Sequence, residues 1–264
     1  MRRALAGCLA LSVSAPPLGV FLVLRRMSLM SDVLQHGVLP GIALGAAVGG
    51  LSVWAMGTGG MIAGLAVALL AGWFARRTGL GEDSQLAGLY LVALAAGVAM
   101  VSAQRGVDLT HLLFGSVLAV DNTALLAMAG AATLTLPVLA VIWRPMVLES
   151  LDPGFPTVGG GVWHGCFLAL VVLCVVSGFE ALGTLMSVGL MMLPAISARH
   201  WCGSLAGQVS VAVALAIAAS VGGLLISFNV EIPAGPAIVL TAGAIWVVSL
   251  LAGPREGLLR AHNG

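Results

Sequence analysis

Asp32 and His36 stand four residues apart in MSLMSDVLQHGVLPGIALGAAVGG, residues 27–50, a stretch with no other acidic or basic residue. Positions i and i+4 share one face of a helix. A carboxylate and an imidazole on one face form a donor set that suits zinc, manganese or ferrous iron. The same two groups are able to relay a proton. A structural Asp–His hydrogen bond between helices is the plain alternative. Ionisable groups at membrane depth are costly and mark a pathway, a relay or an ion site. Pro40-Gly41 follows at once. Proline has no N–H and should break or kink the helix, freeing carbonyls beside the pair. Transporters bind ions at such broken helices near the midplane.

The elements that carry this pair must be membrane spans. The chain has 264 residues, 60% hydrophobic and 8% charged, with a mean hydropathy of +1.11. Such a composition describes an integral membrane protein, all-α and polytopic. Runs long enough to cross about 30 Å of hydrocarbon occur at 4–24, 33–54, 60–75, 85–102, 122–143, 162–179, 182–198, 205–227 and 236–252. That gives eight or nine spans, the split near residue 180 being the weakest boundary. His36 then lies about 15 Å from the arginines that open the second span, near mid-bilayer. The opening 24 residues read as an uncleaved first span rather than a signal peptide, because more spans follow. Leu5-Ala6-Gly7-Cys8 lacks the preceding apolar core that a lipoprotein signal requires.

All 11 basic residues are arginine. Without lysine the chain has no standard Walker A site and no Schiff base, and it contains no His-Glu-x-x-His motif. The net charge of +1 gives no hint of nucleic-acid binding. Alternation of spans puts Arg25, Arg26, Arg76, Arg77, Arg144, Arg199, Arg255 and Arg260 on one side, with Arg2, Arg3 and Arg105 on the other. The positive-inside rule makes the first side cytoplasmic, the N-terminus outside and the C-terminus inside. Trp54, Trp73, Trp143, Trp163 and Trp201 fall near span ends, as an aromatic belt does.

Gly37, Gly41, Gly45 and Gly49 recur every four residues in the second span. This stripe predicts close helix packing, burial of the second span, and a protein-lined cavity beside its Asp–His face. Residues 108–121 are too short to span and read as a re-entrant or interfacial helix. Residues 144–161 form the longest irregular stretch on the cytoplasmic side, enough to dock a partner. Cys8, Cys166, Cys174 and Cys202 lie in apolar runs as packing residues. Two readings of Glu180 stand: solvated near an outer turn, or deeper and completing an Asp–His–Glu set. His111 reads as a mouth residue, and His164, His200 and His262 as interfacial. Met186, Met191 and Met192 read as gap fillers.

Several segments, in order, resemble the permease subunits of bacterial ABC transporters for zinc, manganese and iron. They are Leu24-Arg25-Arg26-Met27-Ser28-Leu29 with Asp32, His36 and Pro40-Gly41, then Leu113-Phe114-Gly115 with Leu118-Ala119-Val120. Gly183-Thr184-Leu185 through Leu193-Pro194-Ala195 to Ala198-Arg199 follows, and last Ile232-Pro233-Ala234-Gly235-Pro236. The resemblance implies a single membrane permease domain over residues 1–264 with the type II importer fold, related to vitamin B12 and siderophore permeases. It implies a multi-pass protein of the bacterial inner membrane, working as a homodimer among membrane lipids. A separate cytoplasmic ATP-binding subunit supplies the motor, in keeping with the missing lysine, and the chain itself is not an enzyme. A periplasmic or surface metal-binding protein delivers the ion; no cofactor is bound permanently. Asp32 and His36 are the implied metal residues, and zinc is favoured slightly over manganese or iron. Glu180 joins them as a metal candidate from its position alone, since family members often carry lysine or glutamine there. The resemblance assigns 144–161 as the segment that couples to the ATPase, with Asp152, Phe155 and Gly160 at matching positions. Pro156 stands where the family has alanine, which predicts a shortened or kinked coupling helix. Gln35 stands where the family usually has a small or neutral residue. A proton-coupled secondary transporter using Asp32 and His36 is the alternative. A non-transporting scaffold packed through the glycine stripe is a third reading, and an intramembrane enzyme is least supported.

Overall fold

In lipid a backbone satisfies its polar groups by forming helices or closed barrels. The computed structural model is helical throughout the residues it describes, which are 2–28, 30–50, 52–78, 82–103, 121–151, 160–230 and 232–255. The helices are α1 (Arg2–Leu24), α2 (Met30–Gly37), α3 (Leu39–Gly49), α4 (Val53–Thr78) and α5 (Glu82–Ala103). After them come α6 (Asn122–Leu151), α7 (Gly160–Leu182), α8 (Thr184–Trp201), α9 (Leu205–Val230) and α10 (Ala234–Ala252). Seven of these are long and apolar enough to cross a membrane. Of the other three, α2 and α3 follow one another across Val38 within the expected second span, and α8, of 18 residues, covers the expected span 182–198; none of the three is by itself long and apolar enough to count as a crossing. The expected re-entrant helix over 108–121 lies, apart from Asp121, outside the described residues. So do Asp152, Phe155 and Pro156 of the expected coupling segment.

The boundary near residue 180 falls at Gly183, with φ at +88°. Glycine enters that region without the Cβ penalty other residues meet, so α7 stops and α8 starts within one residue.

α1 lies at the centre of the bundle, against α6, α7, α8 and α9. The apolar window of α1 is 72% buried, against 17% for that of α5, so α5 is peripheral. Two features hold α1 in place. A methyl added at Gly19 would overlap the Met191 carbonyl of α8, so the two backbones touch. Ser12 bonds Ser220 of α9 at 2.8 Å and donates to the Ala216 carbonyl at 3.3 Å. Interhelical hydrogen bonds of this kind contribute about 0.6 kcal/mol each in membrane bundles. Cys8 and Cys174 are buried among apolar neighbours and all four cysteines are free, in line with packing roles.

The glycine stripe seats α3 on α4. Methyls at Gly41 and Gly45 would overlap the carbonyls of Gly59 and Ala55, and one at Gly59 would overlap Gly41 in return. The expectation that the whole second span is buried needs correction. Leu44 is 51% and Val48 90% exposed, because α4 covers only the glycine face of α3 beyond Ala43.

Candidate metal pathway

The break in the second span falls at Val38, one residue after α2 ends and two before Pro40. Pro40 has no N–H to give to the carbonyl four residues back, so the His36 carbonyl lacks its intrahelical donor. The join is packed tightly from outside. A methyl on Gly97 of α5 would lie 2.7 Å from Leu39 Cβ and 3.1 Å from the Pro40 nitrogen. A methyl on Gly64 of α4 would lie 2.8 Å from Val38 Cγ1. Two glycines on two helices therefore receive the kink.

Asp32 and His36 do share one face of α2. His36 Nε2 lies 3.9 Å from Asp32 Oδ1, too far for a hydrogen bond. Two donors bound to one ion at about 2.1 Å each sit roughly 3–3.5 Å apart, so a small side-chain rotation brings this pair to ligating geometry. Asp32 is 56% exposed and His36 22%. His36 Nδ1 is buried with no hydrogen-bond partner among the described residues. The same holds for Ser31 Oγ and Gln35 Oε1 on the neighbouring face of α2. Buried polar atoms left without partners are costly and need a reason. A cation would accept lone pairs from the Ser31 and Gln35 oxygens, whereas Nδ1, with Nε2 turned to Asp32 as the ligating nitrogen, would carry the proton and want an acceptor. The described residues contain no group of three or more His, Cys, Asp or Glu side chains able to hold a metal. A two-donor site suits passage better than capture.

Tyr90, the only tyrosine in the chain, packs its ring on His36 from α5, with centroids 5.6 Å apart and planes inclined by 50°. Sequence reasoning missed this residue; a lone tyrosine inside an apolar span was the available signal.

Depth follows from the shared glycine seats. A methyl on Gly64 would touch both Val38 and Val172, and one on Gly60 both Ile42 and Val176. Val38 is thus level with the middle of α7. Glu180 stands eight residues beyond Val172 on α7, about 12 Å farther from the arginine-rich end at 1.5 Å per residue. Its side chain lies outside the described residues. Gly160 opens α7, and its side is likewise undescribed. His111 and His262 are also outside. His200 is buried at the end of α8, where its carbonyl accepts from the Arg255 amide at 3.2 Å. Met186, Met191 and Met192 are buried in the core as gap fillers.

A second polar cluster joins α1, α6 and α7 at the arginine-rich end, and it too was missed. Arg25 Nη2 lies 2.7 Å from Glu149 Oε2. Glu149 Oε2 takes no in-line hydrogen bond, so this approach is charge against charge. Arg25 Nη1 lies 2.8 Å from His164 Nδ1. A guanidinium only donates, so Nδ1 is the acceptor in this contact; Glu149 Oε1 lies 3.7 Å from the same nitrogen. Arg25 Nε donates to Ser150 Oγ at 3.4 Å, and its carbon lies 5.5 Å from the Phe167 ring centre. Sequence reasoning gave Arg25 an orienting role and a place in the motif that carries the resemblance, and His164 an interfacial one, but neither a partner.

The model of the ABC 3 transport family matches residues 1–253. The manganese import system permease protein ScaB of Streptococcus gordonii is 30% identical, covering 98% of this chain and 94% of that protein. A probable iron transport system membrane protein of Haemophilus influenzae is 29% identical over 95% of this chain and 92% of its own length. The solved structure of PsaBC from Streptococcus pneumoniae in complex with Fab is similar, with a TM-score of 0.85 and 28% identity. That match covers 99% of this chain and 95% of the other. A family match over nearly the whole chain, on a helical bundle with seven helices long and apolar enough to cross a membrane among the described residues, makes this multi-pass membrane protein a member of the ABC 3 transport family.

Proposed function

We propose that the chain is the membrane-spanning permease subunit of an ABC importer for a divalent transition metal, with the ion passing Asp32 and His36. The observation that carries this reading is the half-open carboxylate–imidazole pair beside a helix break, in a chain of this family. Manganese or iron is the cargo favoured by the names of the relatives, and the same donors also accept zinc, the ion favoured from sequence. Energy comes from ATP hydrolysed on a separate subunit, since this chain has no lysine for a phosphate-binding loop. That subunit engages the segment between α6 and α7, with Asp152, Phe155 and Gly160 in the contact. A binding protein delivers the ion on the opposite side, and a second copy of the chain completes the pathway. Glu180, farther from the arginine-rich end, belongs to the approach to the pair.

The test is uptake into proteoliposomes holding the chain with its ATPase and binding protein, run in parallel for manganese, ferrous iron and zinc. ATP-dependent uptake of one ion, lost in an assembled His36→Ala complex, is the expected result. Unchanged uptake in that variant reduces Asp32 and His36 to helix packing. Uptake driven by a proton gradient without ATP moves the function to secondary transport.

A further inference from the structure

We propose that Arg25 is the positioning residue through which movement of the arginine-rich ends of α6 and α7 reaches the metal pair on α2. The inference rests on the importer reading above, in which the ATPase engages the chain between α6 and α7.

Arg25 is placed to do this by the turn that ends α1. The Met27 amide bonds the Leu22 carbonyl at 2.9 Å and the Arg26 amide bonds the Val23 carbonyl at 3.1 Å. That is the paired pattern of a Schellman cap, with Arg26 at its left-handed position, φ +60°. The turn fixes the direction of Arg25, whose side chain is only 8% exposed. From there it holds the last turn of α6 through Glu149 and Ser150, and the first turns of α7 through His164 and the Phe167 ring. Beneath it Phe21 meets Trp143 at 5.1 Å and Phe167 at 6.1 Å, edge to face, so the three helix ends form one packed unit.

The link onward to the metal pair is short. Met27 follows the cap, its carbonyl accepts from the Met30 amide at 3.0 Å, and Met30 is the first residue of α2. Asp32 and His36 follow within two turns. A displacement of α6 and α7 therefore carries the α1–α2 turn with it and rotates the base of α2. Arg25 is 8% and Glu149 25% exposed, so removing either one leaves the other charge poorly solvated and without its partner at 2.7 Å. The knot thus resists being pulled apart and moves as a whole.

The experiment measures metal uptake and ATP hydrolysis in the same proteoliposomes for wild type, Arg25→Gln, Glu149→Gln, the double variant and Arg25→Lys. Metal binding to each purified complex is measured alongside. The expected result for Arg25→Gln is a fall of about ten-fold in ions moved per ATP, with hydrolysis and metal binding within about two-fold of wild type. The double variant should be no worse than the worse single one, since both remove one interaction. Arg25→Lys, which keeps the charge on Glu149 but not the fork to His164 and Ser150, should fall between. An unchanged ratio of ions to ATP in assembled Arg25→Gln overturns the proposal. If that variant does not assemble, an unchanged ratio in Arg25→Lys overturns it. Absence of ATP-driven uptake in wild type sinks the importer reading and this inference together, whereas failure of the Arg25 variants to change the ratio sinks only the inference.

Discussion

The rings of His36 on α2 and Tyr90 on α5 face one another 5.6 Å apart, so a helix at the edge of the bundle sets the orientation of the imidazole at the candidate metal pair. An aromatic contact of this kind is worth about 0.5–1.5 kcal/mol. Tyr90→Phe keeps the ring and should leave the metal dependence of uptake unchanged. Tyr90→Ala frees the imidazole and should raise the metal concentration for half-maximal uptake by about 2- to 10-fold at an unchanged amount of assembled complex. A phenylalanine variant as poor as the alanine one would mean that the hydroxyl, not the ring, is the contributing group.

Gly97 and Gly88 lie on the same helix in opposite circumstances. A methyl at Gly97 meets Leu39 and Pro40, whereas one at Gly88 meets nothing within 4 Å. Gly97→Ala should lower thermal stability in detergent by the roughly 1–3 kcal/mol typical of overpacking, and lower uptake with it. Gly88→Ala should raise stability by about 0.5–1 kcal/mol, the usual gain from removing a mid-helix glycine. Thermal unfolding of the two variants side by side decides, and similar effects at both positions would contradict the seat assigned to Gly97.

Arg26 occupies the left-handed region at φ +60°. A side chain costs roughly 1–2 kcal/mol there relative to glycine. Arg26→Gly should raise stability by about 1 kcal/mol, and Arg26→Val should lower it by more, since β-branching makes that conformation worse. Thermal unfolding of both variants measures the sign directly.

Pro40 leaves the His36 carbonyl without a helical donor. Pro40→Ala restores an N–H four residues on, and should straighten the join between α2 and α3. The expected outcomes are slower amide exchange across residues 38–42 and weaker metal uptake, because the carbonyl and the bend are both withdrawn from the pathway. Unchanged exchange would show that Gly97 and Gly64, not proline, impose the bend.

What the sequence revealed was what depends on neighbours along the chain. The Asp32–His36 face, the break before Pro40 and the glycine register of the second span all follow from spacings of a few residues. The helix boundary at Gly183 was weakly legible, because α7 and α8 join through a single residue with no polar loop. The cap at Arg26 was not legible, because that position ordinarily signals itself with glycine. Tyr90 beside His36 and Arg25 beside Glu149 and His164 join residues 54 to 139 positions apart. Such pairings depend on which helices pack together, and apolar spans carry little information about that. For the same reason the stripe revealed that α3 packs closely but not that α4 would be the helix on its glycine face.

The contact between α3 and α4 is made by main chain against main chain, at Gly41 with Gly59 and at Gly45 with Ala55. Side chains that separate most helix pairs can rotate and let one helix slip past the other. Here there is nothing to rotate, so α3 and α4 resist sliding along one another and hold the glycine face of the second span in a fixed register against α4.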